Sequence, residues 1–214
     1  MLVGERMTHN PLTVSPETPV SDLRELIQRE KVSHIPVLDR HKKLAGIVTE
    51  QDIARVSPSP ATSLNIWEIS SLLSQLKVQK VMQTDVITVS EGTPIEGAAR
   101  IMADHDVSGL PVMREDHLVG MITEKELFKI FVELFGARTK GLRLTLLVPE
   151  KRGELAALTS AISKRNGNIV SIGTFLGEDP SNALCTMKVE GIDKDSVSAI
   201  LEPLVLKIID IREM

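Results

Sequence analysis

The chain has 214 residues, a net charge of −4 and an aromatic content of 2% with no tyrosine. An acidic chain with so few aromatic side chains lacks the basic surface and the stacking platforms that nucleic-acid binding requires. The single cysteine, Cys185, excludes a disulfide framework and a cysteine-based metal site. No stretch is apolar over the length of a signal sequence or a membrane span, so we expect a cytoplasmic protein that binds neither nucleic acid nor membrane.

A segment near the start of the chain recurs further along it. Residues 7–38 align without a gap to residues 82–113, which lie 75 positions downstream, and ten of the 32 aligned pairs are identical. The alignment shifts by one residue and resumes between residues 44–50 and 118–124. A repeat of this length is a folded unit. Two copies predict a pseudo-twofold pair, with the binding site between them.

Each copy is predicted to fold as strand, helix, strand, strand, helix. In the first copy, residues 12–14 are a short β-rich run, and Pro19 precedes apolar residues that recur at helical spacing. Residues 35–38 and 44–48 are apolar stretches joined by a polar turn, which predicts a hairpin. The second copy repeats this pattern, so both copies are expected to be mixed α/β.

A hydroxyl and a carboxylate follow the second hairpin strand in each copy. The first copy carries Thr49 and Asp52 after Gly46, and their counterparts in the second copy are Thr123, Glu126 and Gly120. Two side chains three residues apart on the first turn of a helix point the same way. Unpaired amides there suit a phosphate, and the carboxylate can accept from two vicinal ribose hydroxyls. The same pair could instead simply cap the helix.

Both copies resemble CBS domains, and the pair resembles a Bateman module, whose two clefts commonly hold adenosine nucleotides. The resemblance implies that Thr49 contacts a phosphate and Asp52 a ribose, and that Thr123 and Glu126 do so less completely because Glu replaces Asp. It also implies that the base pocket is lined by the strand before the helix and by the turn around the proline. These residues are Leu12, Thr13, His34, Ile35 and Pro36 in the first copy and Ile87, Thr88, Gly109, Leu110 and Pro111 in the second.

Differences between the copies predict unequal clefts. Gly109 lets a ring approach the backbone closely, whereas His34 at the equivalent position would narrow the space or simply pack and hydrogen-bond there. Arg55 and Lys129 each follow the acidic position by three residues, where they could neutralise a phosphate or remain solvated. Since only Asp52 completes the signature, we expect the first copy to bind nucleotide more tightly.

The connector between the copies is predicted to be a proline-broken loop followed by a helix. Apolar residues at positions 66, 69, 72, 73 and 76 follow a Thr/Ser cap at helical spacing, which predicts about four turns. The connector resembles that of acetoin-utilisation CBS proteins, which implies a role in acetoin or acetate metabolism through a partner enzyme. Trp67, the single tryptophan, is expected to pack in the core or in an interface.

The last third of the chain follows the order β-α-β-β-α-β of ferredoxin-like folds. With the elbow at Gly153 and the segment after Gly167, it resembles an ACT domain, which implies dimerisation through the sheet. In relatives an amino acid often binds near the glycine. The candidate residues for such a site are Gly153, Leu155, Asn168 and Ile169. Residues 150–152 depart from the family pattern, which favours dimerisation over an amino-acid site.

No catalytic motif occurs, because the five histidines form no ligand pair and no glycine-rich phosphate loop is present. We therefore expect a non-enzymatic regulator, dimeric through its ACT domain, that senses AMP, ADP or ATP in the CBS pair. An amino-acid sensor using the ACT domain and a structural assembly subunit are the alternatives. The expected divisions are CBS domain 1 at residues 1–56, connector 57–77, CBS domain 2 at 78–134, linker 135–141 and ACT domain 142–214.

Overall fold

The computed structural model describes residues 1–57 and 65–214. Within these ranges the chain forms two compact units, Met1–Leu127 and Phe128–Met214. The first unit contains both copies of the repeat apart from the end of the last helix, and the second unit contains the C-terminal segment. Helices and strands are mixed in both units, which confirms the expected α/β fold class.

The two copies have matching elements. The first copy and its leading segment contain α1 (Val3–Arg6), β1 (Thr8–His9), α2 (Val20–Glu30), β2 (His34–Leu38), β3 (Leu44–Thr49) and α3 (Glu50–Val56). The connector and the second copy contain α4 (Ile66–Gln75), β4 (Val89–Ser90), α5 (Ile95–His105), β5 (Gly109–Arg114), β6 (His117–Thr123) and α6 (Glu124–Leu134). Helices α2 and α5 begin 75 residues apart, whereas β3 and β6 end 74 residues apart, which confirms the repeat and its one-residue shift.

The first helix of each copy is amphipathic, as predicted. In α2 the residues Val20, Leu23 and Ile27 recur at helical spacing and are buried in the core of the first copy. The buried residues of α5 at the same positions are Ile95, Ala98 and Met102. Pro19 stands at the N-cap of α2, where its fixed φ and missing amide proton cost nothing.

The hairpins predicted from the two copies are confirmed as β2–β3 and β5–β6. The second lies in a four-stranded sheet of order β1-β6-β5-β4. The first is flanked by single bridges instead, from Val14 to Val37 and from Gln83 to Ile47. The strand expected at residues 12–14 is therefore only one bridging residue, because Pro16 interrupts the run two residues after Val14.

The leading segment of each copy crosses to the other copy. Strand β1, which precedes the first copy, pairs with β6 of the second, and Gln83, which leads into the second copy, pairs with Ile47 of the first. Val3 and Val78 occupy equivalent positions in these segments, and both are fully buried. Because each copy completes the packing of the other, the pair forms one compact unit.

The connector helix is shorter than predicted. Helix α4 begins after Asn65, whose side chain accepts from the Glu68 amide at 3.0 Å, and the expected Thr/Ser cap lies outside the described residues. Leu73 is buried against the first copy, but Leu72 is 54% exposed. Trp67 is 84% exposed, so the expectation that it packs in the core of this chain is wrong.

The second unit has the predicted β-α-β-β-α-β order. Its elements are β7 (Leu142–Pro149), α7 (Glu154–Ser163), β8 (Asn168–Leu176), β9 (Asn182–Glu190), α8 (Lys194–Leu201) and β10 (Lys207–Glu213). The sheet is antiparallel with order β10-β7-β9-β8, and the two helices pack on one of its faces. Cys185 lies in this core, where burial raises the pKa of its thiol to about 11.

The segment that follows α6 is fixed to the second unit. Lys188, which is 2% exposed, donates from Nζ to the carbonyl of Gly136 at 2.9 Å. Gly141 and Met214 exchange two backbone hydrogen bonds of 3.1 and 3.0 Å. The ring of Phe135 stacks on that of Phe175 with centroids 6.0 Å apart. Residues 135–141, expected to be a linker, are therefore held at both ends.

Candidate functional site

Two clefts lie within the first unit, and His34 lines both of them. Cleft one has a volume of about 660 Å³ and is lined by Thr49 and Arg55 of the first copy and by Gly109 of the second. Cleft two has a volume of about 240 Å³ and is lined by Thr123 and Glu126 together with Leu12. The repeat therefore places each copy's signature threonine in its own cleft, together with residues of the other copy.

Thr49 and Asp52 form a closed pair at the start of α3. Asp52 is 6% exposed, and its Oδ2 accepts from the Thr49 amide at 2.9 Å and from the Thr49 hydroxyl at 2.7 Å. The Asp52 amide donates in return to Thr49 Oγ1 at 3.3 Å. This reciprocal arrangement is a capping box. The capping alternative drawn from the sequence is thus realised in the structure.

The amides expected to receive a phosphate are partly used within the protein. In the first turn of α3, the Glu50 amide donates to the Ser33 carbonyl at 3.1 Å, and the Asp52 amide is taken by Thr49. The Thr49 hydroxyl donates its hydrogen bond to Asp52 Oδ2. The expectation of free donors on this turn is wrong for the Glu50 amide, the Asp52 amide and the Thr49 hydroxyl, because each already donates to a group of the protein. The cationic group that remains beside cleft one is Arg55, whose side chain is 66% exposed and whose Nη1 lies 3.7 Å from Asp52 Oδ1.

Gln83 covers the carboxylate of Asp52. Its Nε2 donates to Oδ1 at 3.2 Å and to Oδ2 at 3.4 Å. Gln83 lines cleft one, whereas Asp52 does not. The sequence did not single out Gln83, although the alignment of the copies places it opposite Thr8, which lines cleft two.

The second copy has the same pair in a longer form. The Thr123 hydroxyl donates to the carboxylate of Glu126, as the Thr49 hydroxyl does to Asp52. Both residues line cleft two. Glu126 is partly exposed, whereas Asp52 is buried.

His34 joins the two copies where Gly109 leaves room for its ring. Its Nε2 lies 2.9 Å from Ser108 Oγ of the second copy, and its Nδ1 lies 2.9 Å from Ser33 Oγ. A Cβ atom on Gly109 would lie 2.9 Å from His34 Cδ2, closer than van der Waals contact allows. Burial lowers the pKa of His34, and the nearby carboxylates of Glu124, Asp52 and Glu126 oppose this only in part. His34 is therefore neutral at pH 7.

The charges that line the two clefts differ in sign. Cleft one is lined by Glu50, Arg55 and Asp106, and cleft two is lined by Lys31, Lys125 and Glu126. Lys31 and Asp106 occupy the same position of the repeat, each just past the helix end in a left-handed conformation. The more basic lining of cleft two favours a more highly charged anion.

Models of two domain families match this chain. The model of the CBS domain matches residues 3–59 and 78–133, and that of the TTHA0829-like ACT domain matches residues 140–212. The protein belongs to the CBS domain family. It carries two CBS domains followed by an ACT domain, as the sequence predicted.

Relatives of known name share mainly the CBS pair. Inosine-5'-monophosphate dehydrogenase of Bifidobacterium longum is 30% identical over 177 residues, which are 80% of this chain but 30% of the dehydrogenase. A CBS domain-containing protein of Dictyostelium discoideum is 26% identical over 63% of this chain and 93% of its own length. L-Aspartate semialdehyde sulfurtransferase of Methanocaldococcus jannaschii is 26% identical, and the match spans 23% of that enzyme. The chain thus covers less than a third of both enzymes.

Solved structures of CBS pairs are similar to the first unit. A putative acetoin utilization protein from Vibrio cholerae has 30% identity and a TM-score of 0.53, covering 64% of this chain and 95% of that protein. CBSX2, solved in complex with AMP, has 28% identity and a TM-score of 0.51 over 61% of this chain and 96% of its own. The pair of protein MJ0100, solved with 5'-methylthioadenosine and S-adenosyl-L-methionine, has 26% identity and a TM-score of 0.50 over 61% of this chain and 99% of its own.

The glycines of the CBS signature make room for a methionine of the opposite copy. A Cβ on Gly46 would lie 2.8 Å from the Gln83 carbonyl oxygen and 2.9 Å from Met82 Sδ. A Cβ on Gly120 would lie 2.3 Å from Met7 Sδ, at the equivalent position. These glycines therefore position the crossing segments, Gln83 among them, rather than contact a ligand.

Several residues expected in the base pocket lie outside the lining of the clefts. Ile35, Pro36, Leu110 and Pro111 are buried and do not line either cleft. Thr13, Ile87 and Thr88 are at least partly accessible but do not line either cleft. Lys129 is exposed and belongs to the second unit. Lys31 and Lys125, which do line cleft two, carry no motif and were missed from the sequence.

The ACT candidates do not come together within one chain. Gly153 and Leu155 lie where β7 ends, beside the Pro149–Asn182 pair of the sheet. Asn168 and Ile169 lie at the opposite end, where Asn168 Nδ2 donates to Glu190 Oε1 at 2.7 Å. Within one chain the four residues therefore form two pairs at opposite ends of the sheet, and a site at a dimer interface, which the resemblance implies, stays a prediction.

A buried carboxylate lies beside Gly153. Glu154 is 5% exposed; its Oε2 lies 3.2 Å from Lys151 Nζ, and its Oε1 has no hydrogen-bond partner. In the described part of the chain this is the one fully buried side-chain polar atom without a partner. Over the same residues no helix has the length and apolarity needed to cross a bilayer. They also contain no group of three or more potential metal-ligating side chains.

Proposed function

We propose that this protein is a non-catalytic regulator that senses an adenine nucleotide, AMP, ADP or ATP, in the clefts of its CBS pair. The observation that carries the proposal is cleft one, where a threonine–aspartate pair lies beside Arg55, near the glycine backbone of Gly109. Its volume of about 660 Å³ falls within the range of small-molecule sites. The complexes of CBSX2 with AMP and of MJ0100 with adenosine compounds support this class of ligand.

The roles of the cleft residues follow from their chemistry. Arg55 would neutralise a phosphate, since its guanidinium is largely exposed at the cleft. Asp52 would accept from the ribose hydroxyls after a rearrangement of Gln83. Gly109 would allow the flat base to approach the backbone, on the side where His34 forms the wall. In cleft two, Thr123, Glu126 and Lys125 would take the corresponding positions.

Signal transfer would use helix α6. This helix starts beside Thr123 of cleft two, and from Phe128 onward it belongs to the second unit. Phe131 and Phe135 follow each other on its last two turns with ring centroids 4.7 Å apart, and Gly136 is held by Lys188. A nucleotide that favours one arrangement of the CBS pair would shift the population of α6 conformations. Because the segment after α6 is held by Lys188, a movement of the helix would be passed on to the ACT domain and would not be taken up by a flexible linker.

Dimerisation through the second unit would complete the regulator. All four phenylalanines of the chain lie between residues 128 and 175 in this unit. Phe128, Phe131 and Phe175 are 66, 57 and 48% exposed, which is unusual for side chains of this size. A second copy of the chain would cover this surface. Light scattering tests the proposal: Phe131→Ser should shift a dimer toward the monomer, and a wild-type monomer would contradict it.

The regulated partner would be an enzyme of acetoin or acetate metabolism in the cytoplasm. The support is the similarity to the acetoin utilization protein of Vibrio cholerae, together with the connector that resembles this group. The activity of a candidate acetoin-degrading enzyme should change when this protein and nucleotide are added together. An enzyme that responds to neither would remove this part of the proposal.

An amino-acid sensor is the second candidate, and the buried Oε1 of Glu154 favours it. A carboxylate oxygen without a partner at that depth would be stabilised by a cationic group such as an α-ammonium. The site would use Gly153 and the start of α7.

Mass spectrometry of molecules retained by the purified protein, followed by calorimetric titration, separates the candidates. We expect AMP, ADP or ATP to bind with a stoichiometry of one or two per chain. Binding of an amino acid alone would favour the ACT domain as the sensor. A chain that binds neither class of ligand would be a structural subunit, and the proposed function would be wrong.

A further inference from the structure

Gln83 stands between the carboxylate of Asp52 and cleft one. The Gln83 amide faces the cleft and donates to both carboxylate oxygens, while Asp52 itself is 6% exposed and does not line the cleft. A ligand that enters cleft one therefore meets the amide of Gln83 before it can reach Asp52.

The hydrogen-bonding capacity of the Asp52 carboxylate is largely occupied. A carboxylate offers about four lone-pair positions. Two on the Oδ2 side are taken by the amide and the hydroxyl of Thr49, at 2.9 and 2.7 Å. The Oδ1 side is where Gln83 approaches most closely, at 3.2 Å, with Arg55 Nη1 next at 3.7 Å. A ribose diol and the Gln83 amide would therefore compete for the same oxygen.

The backbone of Gln83 is fixed, so only its side chain can yield. Gln83 and Ile47 exchange two backbone hydrogen bonds of 2.9 Å. The Gln83 side chain is exposed, and its amide can rotate away from Asp52 without breaking this bridge. At the equivalent position Thr8 pairs through its backbone with Met121 and carries no amide donor. Thr8 therefore cannot act in cleft two as the amide donor that Gln83 provides in cleft one.

We propose that Gln83 is a specificity-determining latch of cleft one, which holds the Asp52 carboxylate until a ribose diol displaces its amide. The proposal rests on the nucleotide binding proposed above and deepens it. Displacement of the latch opposes the binding of every ligand that needs Asp52. A ligand without vicinal hydroxyls has no use for this carboxylate, and its affinity does not depend on the latch.

The test is titration calorimetry of the full chain with AMP and with 2',3'-dideoxy-AMP. The variants are Gln83→Met, which keeps the side-chain length but removes the donor, and Gln83→Thr, which copies cleft two. Gln79→Thr is the matched control, because Gln79 is an exposed glutamine outside both clefts. We expect both Gln83 variants to bind AMP about tenfold more tightly than the wild type at one class of site. Their affinity for dideoxy-AMP should equal that of the wild type, and the control variant should bind both ligands as the wild type does.

Each contrary result has a separate meaning. Unchanged or weaker AMP binding in both Gln83 variants would overturn the latch and leave nucleotide binding intact. An equal gain for dideoxy-AMP would overturn the competition with a diol. Absence of AMP binding to the wild type and to every variant would overturn the proposed function and the latch with it. Circular dichroism confirms folding, and Gln83→Met decides the matter if Gln83→Thr does not fold.

Discussion

Cleft one and cleft two are built from the same repeat, yet three matched positions in or beside the clefts carry different residues. Asp52 stands opposite Glu126, Gln83 opposite Thr8, and Asp106 opposite Lys31. The packing positions stay alike, since a glycine receives a methionine from the other copy in both halves. The comparison indicates that the two copies share one packing scaffold. Their clefts differ in charge, in volume and in access to the acidic residue.

The largest contrast is expected from removal of the acidic residue in each copy. Asp52→Ala should lower the free energy of unfolding by about 2 kcal/mol, because it removes the buried carboxylate that accepts from the Thr49 amide and hydroxyl and caps α3. Glu126→Ala should cost about 1 kcal/mol, because Glu126 is partly exposed and water can replace it. Urea unfolding followed by circular dichroism measures both. Equal losses would show that the two caps are equivalent.

A smaller contrast is expected between the signature glycines. Gly46→Ala should destabilise the protein by about 1–3 kcal/mol, because the new Cβ meets the carbonyl oxygen of Gln83 at 2.8 Å, which belongs to the backbone. Gly120→Ala should cost less, because its nearest neighbour is the flexible end of Met7. Thermal unfolding of the two variants gives the ranking. If Gly120→Ala lowers the unfolding temperature more than Gly46→Ala does, the backbone of Gln83 is not the rigid neighbour that the distance to Gly46 indicates.

The charge difference between the clefts predicts different responses to phosphate number. Lys31→Asp should reduce the ratio of ATP to AMP affinity at one class of site by about three- to fivefold, through screened Coulomb interactions. Asp106→Lys, its matched partner in the repeat, should raise the ratio at the other class by a similar factor. Calorimetry at 0.05 and 0.5 M salt checks the electrostatic origin, since both effects should shrink in high salt. If Lys31→Asp and Asp106→Lys change the affinity of the same class of site, the assignment of Lys31 to cleft two and of Asp106 to cleft one is wrong.

The smallest expected effect concerns His34, which lines both clefts. Because burial lowers its pKa in the folded state, the unfolded chain binds the proton more readily. The free energy of unfolding should therefore fall as the pH drops through about 6.5 and level off below the folded pKa. His34→Gln should lack this part of the pH dependence. Unfolding curves between pH 5 and 8 decide it, and identical profiles for both proteins would contradict the neutral, buried histidine.

The sequence was most informative where a local pattern repeats. The apolar spacing in α2 and α5 and the hairpins of both CBS domains follow from periodicity, because each of these elements buries one face. The β-α-β-β-α-β order of the ACT domain was readable for the same reason. The strand at residues 12–14 and a core position for Trp67 were wrong expectations, since propensity says nothing about which neighbour a residue meets.

Within the candidate site, the sequence identified the signature residues but not their hydrogen-bond partners. Thr49 and Asp52 stand at the start of a helix as expected, yet they bond to each other, and Gln83, which lies 31 positions away in the sequence, donates to the Asp52 carboxylate. The four ACT candidates were grouped by sequence motif, and helix α7 keeps them apart. Lys31 escaped notice because a single exposed lysine carries no local signal.

By itself the sequence determined that the chain contains a duplicated α/β unit and a unit of order β-α-β-β-α-β, because the repeat and the periodicity of apolar residues are visible without any tertiary contact, and the resemblance to known families identified these units as CBS and ACT domains. Only the tertiary structure decided which groups of the two copies meet. The crossing of the leading segments brings Gln83 to Asp52, and the fit between the copies places His34 against Gly109. These contacts are set by distances between parts of the chain that are remote in sequence, and the properties of the clefts depend on them.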